Sequence, residues 1–331
     1  AELISFASDY KKNPSTATGT NFIAIMGDGA PAWLAGANEQ LSRLGSDYKA
    51  EIIYSCGRSY GEDQFMAPPS VKENPQNARG MTCATVIRDG DWNIVIKWAA
   101  DNDIPVNTDE TTYNPNAINF IAASENTDAS VKYNTGYTET RDEVKVTSDG
   151  KTVKTGKRKT IGVDMISVWT PADVTAAEGK GGLVRIVSTK EYSAQMPNVV
   201  IGIKKWNEDH RAEVDDQVKT FEESLNKAGE LSAVVYGEED GAYWVKYYKG
   251  AKMIDKDGTS IVELGGSRVN NLADNLELFG LGNNKVNTYA SVYKVFGDIA
   301  SSLYPELVPS YPSIDEVLNL SYIKNVSNRT S

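Results

Sequence analysis

Short apolar runs alternate along the chain with stretches whose apolar residues recur at helical spacing, which predicts an α/β architecture. Asn21 to Met26 reads as a buried strand that ends in the turn Gly27-Asp28-Gly29-Ala30-Pro31. A helix is predicted from about Ala32 to Leu44, with Pro31 in its first turn, where a missing N–H is no loss, and Gly45 as its stop. Ala50 to Ser55 is the next strand, running into Gly57 to Asp63. Met81 to Ile87 predicts another strand. Asp91 then suits the N-cap of a helix from Trp92 to Asp101 that is apolar on most faces and so should be buried.

Residues 123 to 160 are polar, and Val144 to Val153 alternates around Asp149-Gly150, which signals an exposed β-hairpin insertion with solvated lysines. Ile161 to Trp169 returns to a buried strand. After Val199 to Ile203 the pattern is mainly helical, with Phe221 to Val235 and Leu272 to Leu281 near helical spacing. Only about twenty polar residues precede the first strand.

Composition narrows the chemistry. The 331 residues carry a formal net charge of −11, which argues against a nucleic-acid partner, because phosphate binding needs a concentrated basic surface. The basic run Lys151 to Lys159 belongs to the hairpin. No stretch approaches the roughly 20 apolar residues that span a bilayer. Ala1-Glu2-Leu3-Ile4 does not resemble a signal peptide, as expected of a mature exported protein or of a cytoplasmic one. A single histidine, His210, lies in the charged segment Asn207 to Arg211, which reads as a solvated helix face. The two cysteines, Cys56 and Cys83, lack metal-ligand spacing, leaving two buried thiols or a bridge. Neither a cofactor, a metal site nor catalysis is expected.

Several segments resemble a known family. Met26-Gly27-Asp28-Gly29-Ala30-Pro31-Ala32-Trp33-Leu34 is similar to the strand–turn–helix of aliphatic-sulfonate, nitrate and taurine binding proteins. Trp92 to Ile104 is similar to the first helix of their second lobe, and Gly162 to Pro171 to the strand that reads Val-Asp-Ala and then Trp-x-Pro. Tyr243-Trp244, Tyr247 to Gly250, Glu263 to Ser267, Val269 to Asn275, Phe296-Gly297-Asp298 and Val308 to Pro312 resemble a subgroup labelled phosphate-transport-like, often fused to an OmpA-like domain. The resemblance spans residues 20 to 323 and is to type 2 solute-binding proteins of ABC transporters.

It implies a two-lobed type 2 periplasmic-binding-protein fold with a helical C-terminal region and the hairpin insertion. The expected division is residues 1–79 for the shortened first lobe, 80–187 for the second lobe with its hairpin at 143–155, and 188–331 for the return crossing and helical part. It further implies a periplasmic or extracytoplasmic receptor, free or anchored to the envelope, that takes a small polar organic ligand or oxyanion in an interlobe cleft. An ABC permease would be its partner.

In such proteins the ligand meets loops at the carboxyl ends of strands. The candidate lining is therefore Gly27, Asp28, Gly29, Arg58, Tyr60, Glu62, Asp63, Arg88, Asp89, Asp91, Trp92, Trp169, Thr170 and Gln195. Gly27 and Gly29 would let backbone N–H groups approach a ligand, or else serve a turn of positive φ. Arg58 and Arg88 could fork onto an anionic group, or pair with Glu62, Asp63 or Asp89. Trp92 and Trp169 could stack on a ligand or belong to the core. Carboxylates at 89 and 91 disfavour an anion there and favour a zwitterionic or cationic organic ligand unless the two arginines neutralise them.

Two readings compete with the receptor. A binding-protein fold could be recruited as a structural or interaction component of an envelope or surface assembly, with other envelope or surface proteins as partners. Catalysis by paired acids, Glu62 with Asp63 or Asp89 with Asp91, would require environments that separate their pKa values.

Overall fold

Alternating apolar runs become strands of two separate main sheets in the computed structural model, which describes residues 1–237 and 267–330. The described chain divides into two compact units. Unit 1 holds residues 1–59, 194–237 and 267–330, and unit 2 holds residues 60–193. The motifs at Tyr243-Trp244, Tyr247 to Gly250 and Glu263 to Gly266 lie outside the described residues.

Unit 1 is built on a four-stranded sheet in the order β1-β12-β2-β13 (Phe22–Met26, Pro197–Ile203, Ala50–Ser59, Ser267–Val269), with every neighbouring pair antiparallel. Helices α1 (Glu2–Lys12), α2 (Ala30–Leu41), α8 (Arg211–Gly237), α10 (Thr288–Leu303) and α12 (Ser321–Thr330) contribute to one core with β2 and β12. Leu34, Ile52, Tyr54, Val199, Ile201, Val214, Tyr289 and Ile323 are among its buried members. Burying apolar side chains of this size stabilises by roughly 1.5–3 kcal/mol each.

Unit 2 centres on a six-stranded sheet in the order β11-β3-β10-β4-β7-β5 (Val184–Ser188, Asp63–Ala67, Met165–Trp169, Thr82–Thr85, Ile118–Ala122, Val106–Asn107). β10, β4, β7 and β5 run parallel, while β3 lies antiparallel to both β10 and β11. Helix α4 (Gly90–Asp101) is buried along most of its length, as its sequence predicts. It packs Trp98 on Phe65 (5.1 Å between ring centres) and Trp92 on Phe120 (5.8 Å). Helices α5 (Asn126–Thr135) and α6 (Ala172–Glu178) pack Ala129, Tyr133, Ala172 and Ala176 against Met66, Ile121, Ile166 and Val168. A small sheet of β6 (Thr112–Tyr113), β8 (Thr138–Val146) and β9 (Thr152–Gly162) carries the basic hairpin, which turns at Thr147 to Lys151 with Gly150 at φ +80°.

Several expectations change. The chain leaves unit 1 at Ser59/Tyr60 and returns at Ser193/Ala194, not at 79/80 and 187/188, because β3 joins the sheet of unit 2. The hairpin spans 138–162 rather than 143–155, and the polar stretch before it contains α5. The run Ile161 to Trp169 splits between β9 and β10, because Asp164 turns aside to exchange backbone and side-chain bonds with Thr82. β1 is half-buried rather than buried, since it sits at a sheet edge and pairs only with β12.

The N-terminal residues form α1, whose Leu3, Phe6, Ala7 and Tyr10 are buried at i, i+3, i+4 and i+7. His210 is half-buried rather than fully solvated: it stacks on Trp206 at 4.4 Å and meets Tyr10 of α1 at 5.9 Å. Both cysteines are free thiols, Cys83 buried and Cys56 partly so, and burial pushes both thiols up.

Candidate ligand-binding turns

In unit 1 the turn after β1 is fixed by its own backbone. Gly27 N–H donates to Pro197 O at 2.7 Å, and Gly29 N–H donates to Met26 O at 3.1 Å. Tyr289, fully buried, donates its hydroxyl to Gly27 O at 2.9 Å. A Cβ at Gly27 would lie 2.7 Å from Pro197 Cγ and 2.8 Å from Pro197 O, so only glycine admits this approach of two chains. Neither Gly27 nor Gly29 has positive φ, and both N–H groups are occupied within the protein. The expected backbone cradle is therefore a packing device. Asp28 is buried at 3% exposure and accepts from Gln195 Nε2 at 3.4 Å, which brings three of the predicted residues, Gly27, Asp28 and Gln195, together.

Arg58 is also on this unit, opposite Pro197 in the sheet. Its guanidinium bonds Asn270 Oδ1 and lies 3.5 Å from Asp274, in place of the predicted acids at 62, 63 and 89. Behind it stands a buried polar network. Asn275 Oδ1 accepts from Ser55 N (2.8 Å), its Nδ2 donates to Ser55 O (2.9 Å), and Asn270 Nδ2 donates to Ser55 Oγ (2.8 Å). The motif Val269 to Asn275 thus ties α9 (Leu272–Leu278) to β2, with Asn271 and Asp274 forming a capping box.

Unit 2 gathers its candidates at one end of the six-stranded sheet, where β4, β7 and β10 run out. Asp89, not Asp91, is the N-cap of α4, and its side chain accepts from Gly90 N at 2.9 Å. The helix therefore begins at Gly90, which places Asp91 inside the first turn at 1% exposure. With its amide oriented to suit both neighbours, Asn126 donates to Asp91 Oδ2 at 2.9 Å and accepts from Trp169 Nε1 at 3.3 Å. Trp169 pairs in register with Asp63, and Thr170 N–H donates to Glu62 O at 3.1 Å. Gln64, beside Asp63, donates to the buried Asp173. Ser167 Oγ donates to Asp91 O at 2.7 Å, locking the start of α4 to β10. Thr189 fastens the start of the unit: its Oγ1 accepts from Gly61 N at 2.8 Å, next to the half-buried Tyr60.

The two tryptophans separate cleanly. Trp92 is 1% exposed and belongs to the core, whereas Trp169 is 45% exposed at the strand end. Arg88 adopts φ +66° just ahead of the cap and pairs with Glu110 at 3.8 Å. Asn126, Gln64 and Asp173 escaped the sequence reading. Asn126 was hidden because its whole neighbourhood read as an insertion, although Asn-Thr-Asp ahead of an apolar alanine is a helix-start signal.

A helix N-terminus attracts negative charge, and here carboxylates of the chain hold that position: Asp89 at the cap and Asp91 in the first turn. Among the described residues no group of three or more His, Cys, Asp or Glu could hold a metal ion. No described helix is long and apolar enough to cross a membrane.

No protein-family model matches the sequence, and no curated protein matches it. Solved structures do share the fold. The alkanesulfonate-binding protein SsuA from Xanthomonas axonopodis pv. citri, bound to MOPS, aligns over 97% of this chain and 86% of its own, at 9% identity and a TM-score of 0.51. The periplasmic aliphatic sulphonate binding protein SsuA from Escherichia coli aligns over 96% and 79%, at 12% identity and 0.52. The desulfurization enzyme DSZB aligns over 100% and 96%, at 10% identity and 0.50. The architecture is thus that of periplasmic binding proteins. Since the same fold carries receptors and an enzyme, the residues at the turns must decide between them.

Proposed function

We propose that the chain is an extracytoplasmic solute-binding receptor of an ABC importer, and that its ligand is a small organic molecule bearing a cationic group. Support for the receptor comes from likeness over nearly the whole chain to sulfonate-binding proteins. Support for the cationic group comes from one observation: the start of α4 already carries Asp89 at the cap and Asp91 in the first turn, with Asp63 at the same sheet end. Two unit charges 4 Å apart interact by about 4 kcal/mol at an effective dielectric of 20, so an oxyanion brought to this turn meets repulsion instead of the usual helix attraction.

Arg58 is engaged by Asp274 and Arg88 by Glu110, so each guanidinium already has an acidic partner. The exposed indole of Trp169 supplies a face on which an alkylammonium is favoured by roughly 0.5–2 kcal/mol.

Thermal-shift and calorimetric titration against alkylamines, betaines, taurine, MOPS and phosphate test this reading. Amines or betaines should raise Tm, by an amount equivalent to about 2.7 kcal/mol at a hundredfold excess over Kd. Tight phosphate or sulfonate binding without amine binding overturns it.

A further inference from the structure

Unit 1 contains a cavity of about 530 Å³ at the opposite end of β2 from Arg58. Seven residues of strand, roughly 23 Å at 3.3 Å per residue, separate Glu51 from Arg58. One wall is the C-terminal segment. Leu318 bridges to Ile52, and Asn319 N–H donates to Ile52 O at 2.9 Å, laying α11 (Ile314–Val317) and the start of α12 along the strand. The other wall is α7 (Lys204–Asp209), through Lys204 and Glu208. The volume lies within the range of small-molecule sites, roughly 300–1,000 Å³.

Glu51 reaches this cavity although it is only 5% exposed. Its two oxygens accept one amide proton each, from Asn207 Nδ2 at 2.9 Å and Asn319 Nδ2 at 3.1 Å. A carboxylate has about four acceptor positions, so two are left. Burial holds the Glu51 carboxyl above its ordinary range, despite both amides and Lys204. The lining holds four acids (Glu51, Glu208, Asp315, Glu316) against two lysines (Lys204, Lys324), and Lys204 leans on Glu208 at 3.9 Å. Glu316 is engaged with Ser313 at 2.8–2.9 Å.

We infer that this cavity is an auxiliary binding site for a small primary amine, whose ammonium group takes the open acceptor positions of Glu51. An ammonium, which only donates, suits the acceptor positions of Glu51 that the two amides leave open. The excess of acids opposes an anion. The site does not depend on the ligand turns, and its test reads local signals.

The experiment follows the side-chain amide resonances of Asn207 and Asn319 by NMR while 1,4-diaminobutane is added to the intact chain, with sodium chloride matched in ionic strength as control. Saturable shifts with the diamine and none with the salt are expected. Glu51→Gln should weaken the titration at least tenfold, because the charge is lost. Its fold should persist, since Asn207 Oδ1, without a partner among the described residues, can turn to accept from the new amide. The rim variant Asp315→Asn, an exposed position, should weaken it about threefold. Amide signals that stay still, that respond equally to salt, or that titrate unchanged in Glu51→Gln and Asp315→Asn overturn the assignment.

Discussion

Two strand–turn–helix junctions, one in each unit, look alike in sequence and solve different problems. Gly27-Asp28-Gly29 joins β1 to α2, and Arg88-Asp89-Gly90-Asp91 joins β4 to α4. In the first, glycine admits the backbone of Pro197, and the turn spends its N–H groups on the protein itself. In the second, acidic side chains occupy the helix start: Asp89 caps it and Asp91 is held by Asn126. The first junction is a packing joint, and the second presents charge. A glycine-rich turn ahead of a helix is therefore no ligand cradle until the destination of its N–H groups is known.

The largest effect that could break this contrast is at Gly27. Gly27→Ala should cost about 2–3 kcal/mol in denaturant unfolding, because its Cβ would meet Pro197 at 2.7–2.8 Å and backbone must move. Gly29→Ala, whose Cβ finds only Met26 O at 3.4 Å, should cost less than about 1 kcal/mol. Equal losses at the two glycines would end the distinction. In unit 2, Trp169→Ala should weaken the cationic ligand about tenfold with little change in Tm, since the indole is half out of the protein. The same change at Trp92, a core residue packed on Phe120, should instead cost about 3–5 kcal/mol of stability.

A smaller effect belongs to the cap. Asp89→Ala should lower stability by about 1 kcal/mol, and Asp89→Asn should restore most of it, because asparagine caps as well as aspartate. The smallest concerns Glu51, where burial raises the carboxyl above its ordinary 4.5. The native state then takes up that proton more readily than the unfolded chain. Its contribution is fully present below pH 4.5 and is lost as pH rises through the raised value. Glu51→Gln should flatten that part of the stability–pH curve, and an unchanged slope would contradict the assignment.

Much of the architecture was legible from pattern. The strands around Ile23, Ile53 and Val200, the buried helix behind Trp92 and the hairpin at Asp149-Gly150 all follow from apolar period and turn chemistry. Boundaries failed where tertiary pairing decided them. β3 joined the second sheet through β10 and β11, and the apolar run from Ile161 was divided by the bonds Asp164 makes to Thr82.

At the turns, sequence identified the acids but not their partners. Arg58 turns to Asp274 and Asn270, more than two hundred positions away, and no local spacing announces such a bond. Asn126 was invisible for a related reason: its role depends on Asp91 and Trp169 arriving from two other elements.

Calorimetric titration of the purified chain with an alkylammonium ligand and with an alkanesulfonate of matched size tests the central claim most directly. The account predicts saturable binding of the ammonium compound, weakened by Asp91→Asn, and no measurable heat from the sulfonate. Tight binding of the sulfonate, unaffected by removing that acid, would contradict it.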